Sequence, residues 1–365
     1  MSSQKINLHI PDMPSTRELI PWLEQIEANR WYANFGKLNH AFESKLNQQF
    51  DKHSHVVTTA NATLGLELAL IALNLPKNAQ ILIPSFTFVA TATAVLRAGL
   101  RPLFADINVN TWSLTPALTY DAIQKNNVAA ILPVSAFGYP QAVDQWDIFT
   151  QKTGIPVLID AAGAYGNQAI GKTTSIVFSL HATKTLGIGE GGLVVSNDTA
   201  LIQKIRQLTN FGINDCKSEF IGTNAKLSEY HAAVGLAALE RWSHTQQHRQ
   251  RLVQTYQYHL DRLDLPIVYQ TQNLNKIIWS AFVLRFPTSE DVIELGQFLQ
   301  QRNITTRRWY YPPLFEHVAF QNIAHAGELL TTRKISPQLL GLPFHHFLTE
   351  EDIESVCKSL QAYFK

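Results

Sequence analysis

Residues 155–196, IPVLIDAAGAYGNQAIGKTTSIVFSLHATKTLGIGEGGLVVS, contain three apolar runs of strand length. The runs are Ile155–Asp160, Ser175–Ser179 and Gly192–Ser196. Because they are largely unbroken rather than alternating, they are typical of parallel strands buried on both faces of a sheet. Asp160 closes the first run, at the edge where α/β folds bind ligands, and Lys184 follows the second.

Strands and helices alternate in the part of the chain before this stretch. The predicted strands are His55–Thr59, Gln80–Pro84, Arg101–Ala105 and Val128–Val134. The predicted helices are Thr63–Leu73, Val89–Ala98 and Ala142–Thr150. This alternation predicts an α/β fold in which helices flank a mostly parallel central sheet.

The pattern changes after Ser228. Helical spacing of apolar residues predicts one long helix, carried by Leu252, Tyr256, Leu260 and Leu263. A strand over Trp279–Phe286, a helix starting near Ser289 and a capping box at Thr349 and Asp352 follow it. We therefore predict a large domain over residues 1–265 and a smaller C-terminal α+β domain over residues 266–365.

Composition excludes several classes of protein. The 365 residues carry 30 Lys+Arg against 29 Asp+Glu, so neither a basic nucleic-acid surface nor an acidic tail is expected. Charged residues make up only 16%, against about 25% in an average domain, which favours burial of some surface in an oligomer. Two cysteines cannot build a disulfide framework. With no leader-like start and no uninterrupted apolar span, we expect a cytoplasmic protein without a membrane partner.

The segment Gly187–Gly192 spells G-x-G-x-x-G, the pattern of a dinucleotide-binding loop. Such a loop must follow a strand and open a helix, whereas here an apolar strand pattern follows the glycines. We interpret the glycines as allowing close backbone packing. A nicotinamide-dependent dehydrogenase remains only a weaker rival function.

Two residues could carry chemistry in the opening stretch. Asp160 is a carboxylate at the end of an apolar strand, which is costly unless a cation meets it. Lys184 lies among small residues, where poor solvation lowers the pKa of an amine and makes it nucleophilic. Taken singly, a helix cap and an ordinary surface lysine are the more frequent interpretations.

Two further segments suit a phosphorylated aromatic ligand. A strand ends near Thr58 and a helix begins near Thr63, and free amides at a helix N-terminus attract phosphate. Phe88 follows another strand and could lie flat on a planar ring. A cap without a ligand and a core phenylalanine are the alternatives.

Taken together, these segments resemble the DegT/DnrJ/StrS family of pyridoxal-phosphate (PLP) sugar aminotransferases. The resemblance covers nearly the whole chain. The further segments that carry it are WYANFG from Trp31, GTNAKLSE from Gly222, WYYPPL from Trp309 and LPFHHFLTEE from Leu342. It implies the PLP-transferase fold of type I.

The resemblance also implies roles for individual residues. Lys184 would bind the cofactor as a Schiff base and move the proton, and Asp160 would pair with the pyridine nitrogen. Phe88 would stack on the ring. The phosphate would be held by Ala62, Thr63 and Ser179, and by Asn224 of a neighbouring subunit. The active sites would therefore be shared in a homodimer.

The chain departs from the common family pattern at three positions. Ala62 stands where glycine is frequent, Gly163 stands where a polar residue is frequent, and Lys226 replaces a frequent arginine. Relatives that deoxygenate sugars carry histidine at the position of Lys184, so the lysine favours transamination.

The implied reaction has two halves. Glutamate would convert the cofactor to pyridoxamine 5'-phosphate, which would aminate a keto carbon of a nucleotide-linked sugar. The predicted acceptor is dTDP-4-keto-6-deoxyglucose, giving dTDP-4-amino-4,6-dideoxyglucose for O-antigen (lipopolysaccharide) or capsule synthesis. A 3-keto sugar and a non-catalytic regulator with the same fold are the alternatives. Candidate substrate-binding residues are Trp31, Tyr32, Asn34, His181, Arg308, Tyr310 and Tyr311.

We expect no metal site. The pairs His53/His55 and His345/His346 have no carboxylate or further histidine at zinc-helix spacing.

Overall fold

The computed structural model describes residues 5–365, so the first four residues of the predicted large domain lie outside it. Eight strands build a central sheet. They are β1 (His55–Thr59), β2 (Gln80–Pro84), β3 (Arg101–Ala105), β4 (Val128–Ile131), β5 (Leu158–Asp160), β6 (Ser175–Ser179), β7 (Gly192–Ser196) and β11 (Ala324–His325). Strands β4 and β5 are shorter than predicted. At the end of predicted β4 and the start of predicted β5, Val134 and Val157 form only isolated bridges, and the other predicted residues there belong to no residue pair of the sheet.

The sheet has the order β1-β7-β6-β5-β4-β2-β3-β11. Its two four-stranded halves join where Ile131 pairs with Val157 and Val134 pairs with Asp160. Within the described residues, β7 is the one strand of this sheet that runs against the others. The predicted mostly parallel sheet is confirmed. Asp160, at the carboxyl end of β5, lies in the middle of it.

Helices cover both faces of this sheet and continue into the C-terminal part. They are α1 (Thr16–Asn29), α2 (Lys37–Asn47), α3 (Ala62–Ala72), α4 (Val89–Arg97), α5 (Pro116–Lys125), α6 (Val143–Thr153), α7 (Thr199–Thr209), α8 (Glu229–Glu240), α9 (Trp242–Leu260), α10 (Ser289–Gln301), α11 (Leu330–Ile335) and α12 (Glu350–Phe364). The capping box of Thr349 and Asp352 is confirmed at the start of α12. The long helix α9 ends at Leu260, before the predicted Leu263, and its cap is Asp261.

A second, small sheet organises the C-terminal part. Strand β10 (Phe282–Arg285) pairs antiparallel with β12 (Leu339–Leu342), and β8 (Ile213–Asn214) and β9 (Lys217–Ser218) form a separate hairpin. β10 is shorter than the predicted Trp279–Phe286. One apolar core joins side chains from both sides of residue 265, so the domain boundary there stays a prediction.

The glycine segment 187–192 enters strand β7 and opens no helix, which confirms the rejection of a dinucleotide loop. A Cβ on Gly187 would lie 2.5 Å from the carbonyl oxygen of Ala182, and one on Gly192 would lie 2.6 Å from the backbone of Asn61. These glycines therefore permit close backbone contacts. Among residues 5–365, no helix is long and apolar enough to cross a membrane.

Candidate active site

A cavity of about 980 Å³ opens at the carboxyl ends of the central strands. It is lined from both parts of the chain. Among its lining residues are the predicted site residues Ala62, Thr63, Phe88, Asp160, Ser179, His181, Lys184 and Tyr310. The structure thus brings together residues that are up to 248 positions apart in sequence, from Ala62 to Tyr310.

Asp160 lies at the base of the cavity and is almost fully buried. Thr91 donates a 2.8 Å hydrogen bond from Oγ1 to Asp160 Oδ2, and the N–H of Ala162 donates a 3.1 Å bond to Oδ1. Burial raises the pKa of the Asp160 carboxyl, whereas Thr91, Ala162 and the positive charge of Lys184 act in the opposite direction. The carboxylate is therefore held in a fixed orientation, and a cation in the cavity would stabilise it further.

Lys184 is half-buried in the turn that follows β6, and its N–H donates to the carbonyl of His181 over 2.8 Å. Burial lowers the pKa of its amine, and the nearby Asp160 carboxylate partly offsets this effect. Among residues 5–365 its Nζ has no hydrogen-bonding partner. An amine with a lowered pKa and a free lone pair is a nucleophile and a proton carrier.

A helix N-terminus forms one end of the cavity. Asn61 caps α3 by accepting a 2.9 Å hydrogen bond from the N–H of Leu64. The helix begins at Ala62, one residue before the predicted Thr63, and first-turn N–H groups have no acceptor within the helix. Together with the buried Ser179, these groups suit a phosphate.

Aromatic rings line the same cavity. Phe88 caps α4 and is 51% exposed, so one face of its ring is open to a ligand. Tyr310 stacks on Phe137 with a centroid distance of 5.3 Å and meets Phe86 edge-on at 5.2 Å. Phe88 is therefore the ring free to stack on a ligand, while Tyr310 belongs to a packed aromatic wall.

Six of the predicted site residues lie outside the cavity of their own chain. They are Trp31, Tyr32, Asn34, Asn224, Arg308 and Tyr311. Arg308 lies over the ring of Tyr311, 3.6 Å from its centroid, and donates to the carbonyl of Pro337. Trp31, Tyr32, Asn34 and Asn224 are exposed on the surface.

Several residues that line the cavity were not singled out from the sequence. They are Asn7, His9, Glu67, Arg97, Glu190, Ser280, Thr305, Arg307 and Trp309, among others. Thr305, Arg307 and Trp309 follow a strand-like period of two, which could have selected Arg307 instead of Arg308. The N-terminal residues Asn7 and His9 carry no pattern that could have placed them here.

The position of Ser280 explains why residue 163 is a glycine. A Cβ on Gly163 would lie 2.7 Å from Ser280 Oγ, which is closer than side chains tolerate. Ser280 and Gly163 both line the cavity beside Asp160. The serine hydroxyl therefore occupies the space that a side chain at position 163 would need.

The model of the DegT/DnrJ/EryC1/StrS aminotransferase family matches residues 15–361. The chain belongs to this family. This match confirms the predicted family and the transaminase class. Superposition on solved aminotransferases confirms the predicted PLP-transferase fold.

Named members of the family are similar over nearly their whole length. The dTDP-4-amino-4,6-dideoxy-D-glucose transaminase of Shigella dysenteriae is 30% identical, with 96% of this chain and 97% of the relative covered. The GDP-perosamine synthase of Vibrio cholerae is 26% identical, with 92% and 93% covered. The crystal structure of DesI in the presence of its TDP-sugar product superimposes with a TM-score of 0.88 at 28% identity, covering 99% of this chain and 93% of that one.

Membership of the family makes pyridoxal phosphate the cofactor of this aminotransferase. The cavity fits it on its own chemistry. The unpaired amine of Lys184 suits the aldehyde, the buried carboxylate of Asp160 suits a protonated ring nitrogen, and the start of α3 suits the phosphate. No group of three or more His, Cys, Asp or Glu that could hold a metal occurs among residues 5–365.

Proposed function

We propose that this aminotransferase moves an amino group from glutamate to a keto carbon of a nucleotide-linked sugar. The acceptor is dTDP-4-keto-6-deoxyglucose and the product is dTDP-4-amino-4,6-dideoxyglucose, for O-antigen or capsule synthesis. The observation that carries the chemistry is the meeting of Lys184 and Asp160 in one cavity. The choice of sugar is supported by the name of the Shigella relative.

Each residue of the cavity has one task in this proposal. Pyridoxal phosphate, when bound, supplies an aldehyde that takes up the amino group and a ring that withdraws electrons from the carbon being deprotonated. Asp160 would hold the ring nitrogen, Phe88 would cover the ring, and Ser179 with the start of α3 would hold the phosphate. Lys184 would bind the cofactor covalently. Once displaced, it would move a proton from the donor carbon to the cofactor in the first half-reaction, and from the cofactor to the acceptor carbon in the second.

The amine of Lys184 is suited to both directions of this proton transfer. Burial lowers its pKa, so the neutral form that takes up a proton is more accessible than in an exposed lysine. The nearby Asp160 carboxylate acts against this effect and stabilises the protonated form. The group can therefore serve as base in one step and as acid in the next.

We also propose that the enzyme is a homodimer whose two subunits share their active sites, and that it is cytoplasmic. Exposed aromatic and aliphatic side chains lie close to Asn224. One of them is Phe211, whose N–H donates a 3.0 Å hydrogen bond to the carbonyl of Thr223, the residue before Asn224. Ile221 in the same loop is 97% exposed. Covering these apolar groups with a second copy would explain both the loop and the low charge content.

Product analysis tests the acceptor directly. Purified enzyme would be offered glutamate with dTDP-4-keto-6-deoxyglucose and, separately, with its 3-keto isomer. We expect amination of the 4-keto sugar alone. Exclusive amination of the 3-keto isomer would overturn the proposed regiochemistry, and amination of neither would overturn the proposed substrate.

A GDP-linked acceptor is the second candidate, because the Vibrio relative is a GDP-perosamine synthase. Competition separates the two. dTDP should inhibit the reaction at lower concentration than GDP if the acceptor is dTDP-linked, and the order should reverse if it is GDP-linked.

A further inference from the structure

The N-terminal segment, residues 5–14, is hydrogen-bonded to the C-terminal part of the chain beside the small sheet. The N–H of Ile6 donates to Asn303 and its carbonyl accepts from Thr305, both over 2.9 Å. The carbonyl of Leu8 accepts a 2.9 Å bond from the N–H of Phe344. These bonds anchor Ile6 and Leu8, which lie shortly before His9 in this segment.

A second anchor holds the far end of the segment. Asp12 forms an ion pair with Arg241 and lies 3.3 Å from His346 Nδ1. The carbonyl of Met13 accepts a 3.1 Å hydrogen bond from the same arginine. Because His9 lies between two anchored stretches, its backbone position is set by the folded protein.

The side chain of His9 forms part of the cavity wall. Its ring meets Trp309 edge-on, with a centroid distance of 6.4 Å, and it is half-buried. Burial and the positive charges of Arg249 and Lys184 lower the pKa of the imidazole to about 4. The ring is therefore neutral near pH 7 and is close enough to Lys184 to feel its charge.

A neutral imidazole has one N–H donor and one nitrogen acceptor. The backbone carbonyl of Phe344 accepts from the ring N–H of His9, which leaves the other nitrogen to accept from a hydroxyl group. The neutral ring carries no charge to offset the carboxylates of an amino donor, whereas Arg307, which lines the same cavity, does. Arg97 also lines the cavity, but its guanidinium is already paired with Glu67 over 2.8 Å.

We propose that His9 hydrogen-bonds a ring hydroxyl of the acceptor hexose and so orients the sugar beside the amine of Lys184. This inference rests on the proposed function, since it requires a sugar acceptor. It assigns the N-terminal segment to the acceptor side of the site. The amino donor does not use it.

The test measures the two half-reactions separately in the holoenzyme. His9→Ala removes the hydrogen-bonding group, His9→Gln keeps a donor and an acceptor, and His40→Ala, an exposed histidine of α2, is the control. The first half-reaction is followed as the change in cofactor absorbance on adding glutamate alone. The second is followed as amino-sugar formation when the aminated enzyme meets dTDP-4-keto-6-deoxyglucose.

We expect His9→Ala to slow the sugar half-reaction about three- to tenfold, the loss typical of one neutral hydrogen bond. The glutamate half-reaction should stay within about twofold of wild type, which also shows that the variant is folded. His9→Gln should recover most of the loss. Calorimetry should show weaker binding of the amino-sugar product by His9→Ala and unchanged binding of dTDP.

Equal losses in both half-reactions, or an unchanged sugar half-reaction in His9→Ala, would overturn the role of His9. If His9→Ala does not fold, a His9→Gln variant that folds but binds the amino-sugar product no better than dTDP would overturn it as well. Failure of wild type and His40→Ala to aminate the keto sugar would instead count against the proposed function.

Discussion

Thr91 Oγ1 donates a 2.8 Å hydrogen bond to Oδ2 of Asp160 and so ties helix α4 to the end of strand β5. A second hydroxyl, Oγ1 of Thr87, lies 2.7 Å from the Thr91 oxygen and completes a short chain of polar groups. The bond from Thr91 lowers the pKa of Asp160, whereas burial raises it. Thr91 is therefore a positioning residue that favours the ionised form of the carboxylate.

Replacing Thr91 with valine should weaken catalysis without removing the cofactor. Loss of the hydrogen bond raises the pKa of Asp160 further, so the acidic limb of the kcat/KM profile should move to higher pH. We expect kcat to fall about tenfold at neutral pH, as for a bond to a charged group. Thr93→Val is the matched control, because Thr93 Oγ1 bonds the carbonyl of Val89 in its own helix. Profiles that coincide for the two variants would contradict this role.

Lys184 should destabilise the cofactor-free protein in a pH-dependent way. Its pKa in the folded chain is lowered from the ordinary value of 10.5, so the unfolded chain holds a proton that the folded chain lacks between those two values. Stability therefore rises with pH across that window. Lys184→Met should have the larger free energy of unfolding near neutral pH, and the gap should close towards pH 10.5. Urea unfolding of both, with the exposed Lys172→Met as control, measures this, and a gap that widens with pH would contradict it.

The contact between Gly163 and Ser280 predicts a double-mutant effect. Gly163→Ala places a methyl group 2.7 Å from Ser280 Oγ, so the melting temperature and activity should both fall. Adding Ser280→Ala should restore stability, giving a coupling of about 1 kcal/mol. Gly296→Ala is the control, since its nearest contact would be an ordinary 3.7 Å. Additive effects of the two substitutions would show that the contact is not limiting.

Asn224 should serve the active site of the partner subunit. Mixed dimers of Lys184→Ala and Asn224→Ala chains contain one site with both residues intact only if Asn224 crosses the interface. Random mixing should then return roughly a quarter of wild-type activity, because half of the dimers are mixed and each has one intact site. Mixing that gives no more activity than the separate variants would show that Asn224 acts within its own chain or not at all.

The sequence was sufficient to predict the central sheet and the meeting of Asp160 with Lys184. Both follow apolar runs of strand length, and parallel strands bring their carboxyl ends to one edge. Arg308 was predicted where Arg307 lines the cavity, because the period of two over Thr305, Arg307 and Trp309 was not used to separate the two faces of this segment. Strand β11 was missed, since two residues paired with β3 give no length signal.

The N-terminal segment is a second part of the chain whose place could not be predicted from the sequence. Its place is set by bonds to residues about 300 positions later, such as Ile6 to Thr305 and Leu8 to Phe344. No local period or cap marks such a contact. Asp12 and His9 therefore become interpretable only once the small sheet is seen.

The central claim is that Lys184 binds the cofactor and moves the proton in the cavity that has Asp160 at its base. The most direct measurement is the absorbance spectrum of purified wild type, Lys184→Ala and the control Lys172→Ala, each before and after addition of glutamate. We expect wild type and Lys172→Ala to show absorbance of covalently bound cofactor that glutamate removes, and Lys184→Ala to show neither the absorbance nor the response. A Lys184→Ala protein that keeps both the absorbance and its loss with glutamate would contradict the account.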